Sequence, residues 1–412
     1  MKDIENSRKE SPIKESPFLG LTGMGGGVAS LMWAGAAAAT GQLYVAGRNY
    51  YGALGIDIGG SNNANRSSPV LVGTDTNWLT AMGPMAVKND GTLWGWGRNQ
   101  WGELGQNNQA SSNTSLSSPT QIGTGTDWAH CGLSPVGTRY AVKTDGSLFT
   151  WGKNSYGALG HNDTEPRSSP VQLPGAWAAV SSGDTDGGFV ATKTDGSLWS
   201  WGNGSVGVNG QDNETTYSSP KQIGTDTDWG TNRTSVSRAI VASMAVKANG
   251  TLWSWGYNTS GQLGHNNKTN ASSPRQVGTD TTWRSAHGQL AGPGRRSIMM
   301  TKTDGTLWGL GNNGGGQLGV NDRTARSSPT QVGTNTTWTS KSYGMIERGG
   351  IVIPKTDGTL WYCGGEDTQG GTMLNKRFGA WSSPTQIGSA TDWYMAGSSE
   401  YNTSAIRGKD IR

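Results

Sequence analysis

The chain repeats one pattern seven times, and this repetition constrains its fold more than any other feature. The glycine of an Asp-Gly type of turn recurs at intervals of 50, 55, 50, 54, 55 and 53 residues, at Gly41, Gly91, Gly146, Gly196, Gly250, Gly305 and Gly358. A Ser-Ser-Pro triplet follows, ending at Pro69, Pro119, Pro170, Pro220, Pro274, Pro329 and Pro384. A tryptophan then closes the copy, at Trp78, Trp128, Trp177, Trp229, Trp283, Trp338 and Trp393. A period of this length indicates one supersecondary unit whose stacked copies bury a shared core.

Each copy predicts four short strands. Ala86–Lys88 and Leu93–Trp96 flank Asp90-Gly91, and an Asx-Gly dipeptide between β-forming runs is the strongest short hairpin signal. A third strand starts near Pro119, where proline costs no ladder bond, and the stretch after each closing tryptophan supplies a fourth. Helical periodicity is missing, and 66 glycines in 412 residues disfavour long helices. The pattern predicts an all-β, seven-bladed β-propeller with four-stranded blades; an all-β solenoid is the alternative.

The C-terminus predicts how the ring closes. The run Ala405–Asp410 (AIRGKD) resembles the opening of a further repeat, and Asp410 lies 52 residues beyond Gly358, about one period on. We therefore expect a C-terminal strand to pair with the strands of the first repeat. Such pairing would join the N- and C-terminal strands and cover the edges that an open ring exposes.

The repeat resembles that of the regulator of chromosome condensation family. An Asn-x-x-Gly-x-Leu-Gly motif follows the paired tryptophans or their equivalents, at Asn99–Gly105, Asn154–Gly160 and Asn258–Gly264. The resemblance covers roughly residues 34–412 and implies a seven-bladed propeller. The tryptophan-rich form found here is similar to bacterial and bacteriophage members.

Two repeats depart from this motif. The fourth has Gly204 in place of Asn and Asn209 in place of Leu, and Gly365–Asp367 interrupts the seventh. We expect these two blades to be the least regular.

The resemblance also implies an activity. The eukaryotic member is a nucleotide exchange factor for a small GTPase and acts through a protruding hairpin. The equivalent segments of this chain vary little in length and contain no long insertion for such a hairpin. Regulation of a small GTPase is therefore an alternative function that no individual residue supports.

No catalytic motif is present. The sequence has no P-loop, no H-E-x-x-H, no C-x-x-C and no G-x-S-x-G elbow between a strand and a helix. Cys131 and Cys363 lie in distant repeats and predict buried free thiols rather than a metal site. The net charge of +4 is spread evenly, which disfavours a nucleic-acid partner. We expect no enzyme activity, no cofactor and no metal.

Aromatic residues break the symmetry of the repeats. The position two after the motif Asn is aromatic in the first three repeats, at Tyr51, Trp101 and Tyr156. The equivalent residues of the next three repeats are Val206, Ser260 and Gly315. Aromatic rings on neighbouring loops predict a platform for a sugar or another protein, because they bury a large area at a low entropy cost. The alternative is that each ring covers its own loop.

The N-terminus is the second asymmetry, and it predicts a domain boundary. We expect residues 1–33 to form an extended Gly-rich docking arm and residues 34–412 to form the propeller. Acidic residues near the start and glycines in the following apolar stretch disfavour a signal peptide and a membrane span. The stretch loosely resembles N-terminal segments of marine bacteriophage virion proteins. The side chains expected to dock onto another protein are Phe18, Leu19, Leu21 and Met24.

These observations favour a non-enzymatic structural and binding protein. The leading hypothesis is a bacteriophage virion component (tail fibre, tail-associated or capsid decoration protein) that docks on other virion proteins through its arm. Its propeller would then contact a host-surface glycan or protein. The alternatives are a secreted or surface-attached bacterial propeller that binds carbohydrate or protein, and the regulator of a small GTPase. The expected location is the virion or, under the first alternative, the bacterial exterior.

Overall fold

The computed structural model describes most of the chain beyond residue 40. The described residues are 41–59, 64–108, 115–134, 136–183, 187–239, 241–288, 297–340, 342–343, 350–364, 381–398 and 402–408. The predicted docking arm, with Phe18, Leu19, Leu21 and Met24, lies outside them, so the domain boundary stays a prediction. None of the described residues belongs to a helix that is long and apolar enough to cross a membrane.

The strands form seven blades arranged as a propeller. Blade one combines β1, β2, β27 and β28, which span Gly41–Gly47, Arg66–Leu71, Trp393–Ser398 and Asn402–Gly408. Blade two contains β3 to β6, which span Trp78–Met82, Met85–Lys88, Leu93–Gly97 and Leu116–Gln121. Blade three contains β7 to β10, which span Trp128–Leu133, Thr138–Lys143, Leu148–Gly152 and Arg167–Leu173. Blade four contains β11 to β14, which span Trp177–Ser182, Gly188–Lys193, Leu198–Gly202 and Tyr217–Gln222.

The remaining blades follow the same order. Blade five contains β15 to β18, which span Val236–Arg238, Ala242–Val246, Leu252–Gly256 and Ala271–Gln276. Blade six contains β19 to β22, which span Trp283–Gly288, Ser297–Lys302, Leu307–Gly311 and Arg326–Gln331. Blade seven has three described strands, β24 to β26, which span Gly350–Pro354, Leu360–Gly364 and Trp381–Gln386. The short β23, Ser342–Tyr343, pairs in parallel with β27 of blade one.

The ring closes as the sequence predicts. Strand β28 inserts between β1 and β27 and pairs antiparallel with both. Its register with β1 runs from Gly41 opposite Gly408 to Gly47 opposite Asn402. Blade one is therefore built from both ends of the propeller, and the predicted pairing of N- and C-terminal strands is confirmed.

A turn glycine joins each blade to the strand that opens the next. Gly91 has φ of +76°, and a Cβ atom there would lie 2.0 Å from the carbonyl oxygen of Thr126. Its own carbonyl accepts a hydrogen bond from the backbone N–H of Trp128 at 3.0 Å. Only glycine satisfies both the left-handed backbone and this close approach, and Gly196, Gly250, Gly305 and Gly358 repeat the same geometry. Gly41 of the first copy lies instead within β1.

The closing tryptophans pack edge-to-face against a second aromatic residue of the same blade. In blade two the ring centroids of Trp78 and Trp94 are 6.0 Å apart, at an interplanar angle of 78°. The ammonium of Lys88 lies 3.8 Å from the Trp94 centroid and 2.8 Å from the Asp75 carboxylate. The same Trp-Lys-Trp stack recurs around Lys193, Lys247, Lys302 and Lys355. These stacks combine apolar burial with cation–π attraction.

Neighbouring blades are joined by a contact that we call the latch. The indole N–H of Trp151 in blade three donates a hydrogen bond to the backbone carbonyl of Glu103 in blade two, at 2.9 Å. Beside it, the backbone N–H of Asn107 donates to the carbonyl of Ser168, at 2.9 Å. Equivalent indole bonds from Trp96, Trp201 and Trp255 reach Ala53, Ala158 and Val208, at 3.0, 2.9 and 2.9 Å. The latch buries both partners, so it contributes hydrophobic area as well as hydrogen bonds.

The latch loses its indole in the remaining blades. The equivalent residue is Leu310 in blade six, Cys363 in blade seven and Ala46 in blade one. Cys363 is buried and free, as is Cys131, and burial raises the pKa of both thiols to about 12. The prediction of buried free thiols is confirmed. The indole form of the latch therefore joins blades one to five, and the remaining interfaces lack it.

Blade four is regular despite its departures from the motif. In other blades the motif Asn donates to loop carbonyls; Asn258, for example, bonds the carbonyl of Thr269. Blade four has no amide at Gly204, but the Asn209 amide donates to the carbonyls of Gly202 and Thr215, at 3.1 Å each. The expectation of irregularity is therefore wrong for blade four, because the amide has moved five positions along the loop. In blade seven the departing segment, 365–367, lies outside the described residues.

The relocated amide also serves a buried cation. The Asn209 side-chain oxygen accepts a hydrogen bond from the guanidinium of Arg238 in blade five, at 2.8 Å. Arg238 is 2% exposed and donates a further bond to the carbonyl of Asn203, at 2.6 Å. A buried charge needs such partners, which explains why a polar residue replaces the motif leucine here.

A second arginine forms hydrogen bonds across the centre of the propeller. The Arg233 guanidinium lies at the start of blade five and donates to the Thr80 hydroxyl in blade two, at 3.1 Å. It also donates to the carbonyl of Cys131 in blade three, at 3.2 Å. The first strands of successive blades contact one another around the centre, so this side chain crosses the middle of the ring.

We predict that Trp151→Leu lowers the free energy of unfolding by about 2–3 kcal/mol, because it removes buried indole area and one latch hydrogen bond. Urea denaturation measures this change. Val171→Ser, in the same blade but exposed, is the control and should have little effect. An equal effect of both substitutions would show that the latch does not stabilise the ring.

We predict that the stability of the fold depends on pH through the Lys–Asp pairs beside the Trp-Lys-Trp stacks. Burial alone would raise the pKa of Asp280, but hydrogen bonds from Lys302 and Thr282 outweigh it and lower the pKa to about 2. The pair therefore stabilises the fold above about pH 4, the range of a free Asp, and loses its effect as the pH falls toward 2. Asp280→Asn should reduce the midpoint of thermal unfolding at pH 6 and leave it nearly unchanged at pH 2.

In blade seven the reverse substitution, from Asn to Asp, tests the same kind of ion pair. Asn335 makes the same loop bonds to Thr337 as Asp280 makes to Thr282, but Lys355 has no carboxylate partner among the described residues, and burial lowers its pKa. Asn335→Asp should therefore raise the unfolding midpoint at pH 6. Stabilisation that persists unchanged at pH 2 would contradict an electrostatic origin.

Candidate functional site

The propeller has two unlike faces. One carries the Asx-Gly turns and the Trp-Lys-Trp stacks. The other, which we call the motif-loop face, carries the loops that follow the third strand of each blade, within residues 48–58, 98–108, 153–163, 203–213, 257–267 and 312–322. Three single-turn 3₁₀ helices lie in these loops, at Tyr50–Gly52, Ser155–Gly157 and Ser205–Gly207. Loops held by a rigid scaffold are the usual place for binding residues.

The described residues do not assemble a metal centre. Within the described ranges, no group of three or more His, Cys, Asp or Glu side chains could hold a metal ion. His161 and His265 take equivalent places, with Nε2 3.0 Å from the hydroxyls of Thr150 and Ser254. Burial lowers the pKa of both imidazoles, and that of His130 more strongly. Burial therefore favours the neutral form of these imidazoles, and His161 and His265 bond hydroxyls of their own blades.

The three aromatic residues predicted from the sequence lie on the motif-loop face with exposed rings. Tyr51, Trp101 and Tyr156 are 48%, 38% and 50% exposed. Tyr51 and Tyr156 adopt a left-handed backbone, with φ of +56° and +58°. Val206 in blade four shares this conformation at φ of +55°, so the strain belongs to the loop. The exposed ring itself is what distinguishes blades one to three.

Each of the first two rings carries a cation from the next blade. The guanidinium carbon of Arg98 in blade two lies 5.5 Å from the ring centroid of Tyr51 in blade one. The ammonium of Lys153 in blade three lies 5.7 Å from the ring centroid of Trp101 in blade two. At the third ring, Tyr156, the equivalent residue of blade four is the uncharged Asn203. We call this set of five residues, Tyr51, Arg98, Trp101, Lys153 and Tyr156, the aromatic arc.

The arc is attached directly to the latch. The backbone N–H of Trp101 donates to the Glu103 carboxylate, at 2.5 Å. The backbone carbonyl of the same Glu103 accepts the latch bond from Trp151. Gln262 and Gln317 hold their own loops in the same way, at 2.9 and 2.8 Å. The loop that presents Trp101 is therefore fixed by the contact between blades two and three.

Exposed apolar side chains concentrate on this part of the face. Among the described residues, five large apolar side chains are exposed: Tyr51, Ile58, Trp101, Tyr156 and Val171. Four of them belong to the motif loops of blades one to three, and the fifth, Val171, is on β10. Apolar exposure clustered on one side of a monomer marks an interaction site more often than scattered single residues do.

The sequence predicted the three rings but not the two cations. The available signal was the residue before the motif Asn, which is Arg48, Arg98 or Lys153 in the first three repeats. In the fourth to sixth repeats the equivalent residue is Asn203, Tyr257 or Asn312. The neighbouring-blade contact could not be seen in the sequence, because cation and ring come from different repeats.

The family comparison agrees with the observed repeats. Three segments match the family model of the regulator of chromosome condensation (RCC1) repeat, at residues 90–132, 145–185 and 249–287. The blades resemble RCC1 repeats. The further prediction of a bacterial or bacteriophage type of RCC1-repeat protein remains untested.

Curated relatives share part of this chain. It is 35% identical to mouse (Mus musculus) protein RCC2 over 102 residues, which are 24% of this chain and 19% of that protein. It is 29% identical to the mitochondrial RCC1 domain-containing protein RUG3 of Arabidopsis thaliana over 198 residues, 47% of this chain and 44% of that protein. The chain thus spans less than half the length of these relatives.

Solved structures show the same fold. Yeast RCC1 (Prp20), in a crystal structure bound to Kap60, is similar with a TM-score of 0.73 and 16% identity over 92% of this chain and 91% of that chain. A second structure of Prp20p, from Saccharomyces cerevisiae, gives a TM-score of 0.72 and 16% identity over 90% and 92% of the two chains. At this identity the likeness concerns the RCC1-like propeller fold alone.

We predict that Trp101→Ala changes the free energy of unfolding by no more than about 1 kcal/mol, because the ring is exposed and its loop is held by backbone contacts. Trp151→Ala, one blade along and fully buried, is the matched control and should cost about 4 kcal/mol. Urea denaturation of both variants compares them. A similar loss of stability in both variants would show that Trp101 belongs to the core rather than to the surface.

Proposed function

We propose that this chain is a non-enzymatic binding protein whose motif-loop face contacts a partner protein through the aromatic arc. The observation that carries the proposal is the concentration of exposed apolar side chains on the loops of blades one to three. Aromatic residues and arginine are enriched at protein interfaces and dominate their binding energy. The latch holds these loops before binding, so little ordering entropy is lost on association.

The similar structures support protein binding as the class of function. Yeast RCC1 (Prp20) was crystallised bound to Kap60, and the second structure was described together with the binding of Prp20p to Gsp1p and histones. These partners belong to that protein. What they support here is a propeller of this kind acting by binding rather than by catalysis.

Affinity purification followed by rebinding tests the proposal. The full chain is used to recover partners from cells of its native source, and each candidate is then purified and titrated by calorimetry. Trp101→Ala should weaken binding by roughly tenfold or more, as expected for a central aromatic contact. Val171→Ser, exposed on the outer strand of blade three, should leave it unchanged. A purified partner that binds both variants equally would exclude the arc as the contact surface.

A second candidate is regulation of a small GTPase. The likeness to yeast RCC1 across about nine-tenths of the chain favours it, together with the exchange activity that the family resemblance implies. The assay is release of fluorescent GDP from a purified small GTPase of the same source. Faster release with the full chain at catalytic concentrations would support this function. Unchanged release across the small GTPases of that source would exclude it.

The virion role predicted from the N-terminal arm is a more specific hypothesis than protein binding in general. It gains no support from the relatives described above, and the arm lies outside the described residues. Its test is attachment of the full chain, and of a chain starting at residue 34, to density-purified particles. Attachment of the full chain alone would support docking through Phe18, Leu19, Leu21 and Met24, whereas equal attachment would exclude it.

A further inference from the structure

The aromatic arc alternates rings and cations along three consecutive blades. Around the propeller, these side chains follow the order Tyr51, Arg98, Trp101, Lys153 and Tyr156. The contacts of Arg98 with Tyr51 and of Lys153 with Trp101 each cross an interface between blades. Within a loop, the cation and the following ring are three residues apart. The five side chains therefore comprise two ring–cation pairs that cross blade interfaces and a further exposed ring, Tyr156, on the third loop.

The two cations of this surface are partly accessible to solvent. In the described ranges neither Arg98 nor Lys153 forms an ion pair, and each is half-exposed beside its ring. Arg167, which follows the loop of blade three, is in contrast paired with the Asp163 carboxylate at 2.5 Å. Burial lowers the pKa of the nearby Arg139 guanidinium most, the Glu103 carboxylate raises it, and Arg98 lowers it by a smaller amount. Glu103 and Arg139 are both buried, so Arg98 and Lys153 are the cations that the arc presents to solvent.

We infer that the aromatic arc binds an acidic segment of a partner protein, in extended form, with carboxylates on Arg98 and Lys153 and apolar or aromatic side chains on the rings. This inference rests on the proposed function and specifies the chemistry of its partner. Arginine and aromatic rings recognise carboxylates and flat side chains respectively, and a cation already placed over a ring needs no rearrangement. Charge complementarity at such a surface gives specificity and a faster association.

A single-stranded nucleic acid also combines charges with stacking bases, but it fits this surface less well. It carries a phosphate at every nucleotide and needs a positive groove along its whole path. Exposed carboxylates also occur nearby in the sequence, at Asp57 in the loop of blade one and at Glu165 just after the loop of blade three. A peptide can place its acidic residues opposite the two cations and keep them away from these carboxylates.

Fluorescence anisotropy with defined probes tests the inference on the full chain. The probe is a fluorescein-labelled twelve-residue peptide of alternating Glu and Tyr; the comparison probes are its Lys–Tyr counterpart and a twelve-nucleotide oligothymidine. We expect the acidic peptide to bind most tightly. Its affinity should fall with salt, because exposed charge pairs are screened.

Matched variants identify the surface. Arg98→Gln combined with Lys153→Gln should weaken binding of the acidic peptide by roughly tenfold, from the loss of two exposed charge pairs. Arg275→Gln combined with Arg323→Gln removes the same charge from exposed sites on blades five and six and should leave the affinity unchanged. Both double variants should keep the unfolding midpoint of the parent chain, which excludes unfolding as the cause.

The outcomes separate this inference from the proposed function. Tighter binding of oligothymidine would replace the acidic protein segment with a nucleic acid, and equal loss in both double variants would reduce the effect to net charge. Either result overturns the inference. If a purified partner is lost with Trp101→Ala but not with Arg98→Gln and Lys153→Gln, the proposed function stands and the acidic chemistry is wrong. If Trp101→Ala leaves that partner bound, the proposed function itself fails.

Discussion

The latch between neighbouring blades is the contact on which the rest of this structure depends. An indole N–H from one blade bonds a backbone carbonyl in the motif loop of the blade before it, as Trp151 does with Glu103. The same loop brings a glycine against the next outer strand, where a Cβ on Gly102 would lie 2.5 Å from the Cα of Ser168. The glycine–serine approach recurs where the indole is absent, as at Gly261 and Ser327, so the two parts of the contact repeat independently.

The latch also fixes the candidate binding surface. The loops that hold the ring together are the loops that present Tyr51, Trp101 and Tyr156, and Glu103 takes part in both roles. Blades two to five have an indole in the latch, whereas blades six, seven and one have Leu310, Cys363 and Ala46. Tyr51, Trp101 and Tyr156 all lie on loops in which a backbone carbonyl accepts a hydrogen bond from such an indole. The candidate surface is thus built on loops that the indole form of the latch holds.

Much of the fold could be predicted from the sequence because its signals are local. Asx-Gly turns, strand-length apolar runs and a fixed period indicate hairpins in a closed array, and the pattern at Ala405–Gly408 indicates the closing strand. The buried hydrogen bond between Asn209 and Arg238 could not be predicted, because the two residues belong to different blades and neither fits the motif alone. The left-handed Asx positions, such as Asn107 at φ of +55°, became clear only with the backbone.

The same distinction holds for the candidate site. The rings at Tyr51, Trp101 and Tyr156 stand at one motif position and could be found by aligning the repeats. Their exposure and the cations beside them depend on contacts between blades, which a single repeat does not contain. The predicted arm residues Phe18, Leu19, Leu21 and Met24 are outside the described part of the chain and remain a sequence-based prediction.

Hydrogen–deuterium exchange of the full chain, with and without the acidic Glu–Tyr peptide, tests the account most directly. We expect slower exchange in the motif loops at 48–58, 98–108 and 153–163, and no change in the equivalent loops of blades five and six. Protection that extends evenly around the ring, or that appears on the face of the Asx-Gly turns, would contradict a binding surface confined to blades one to three.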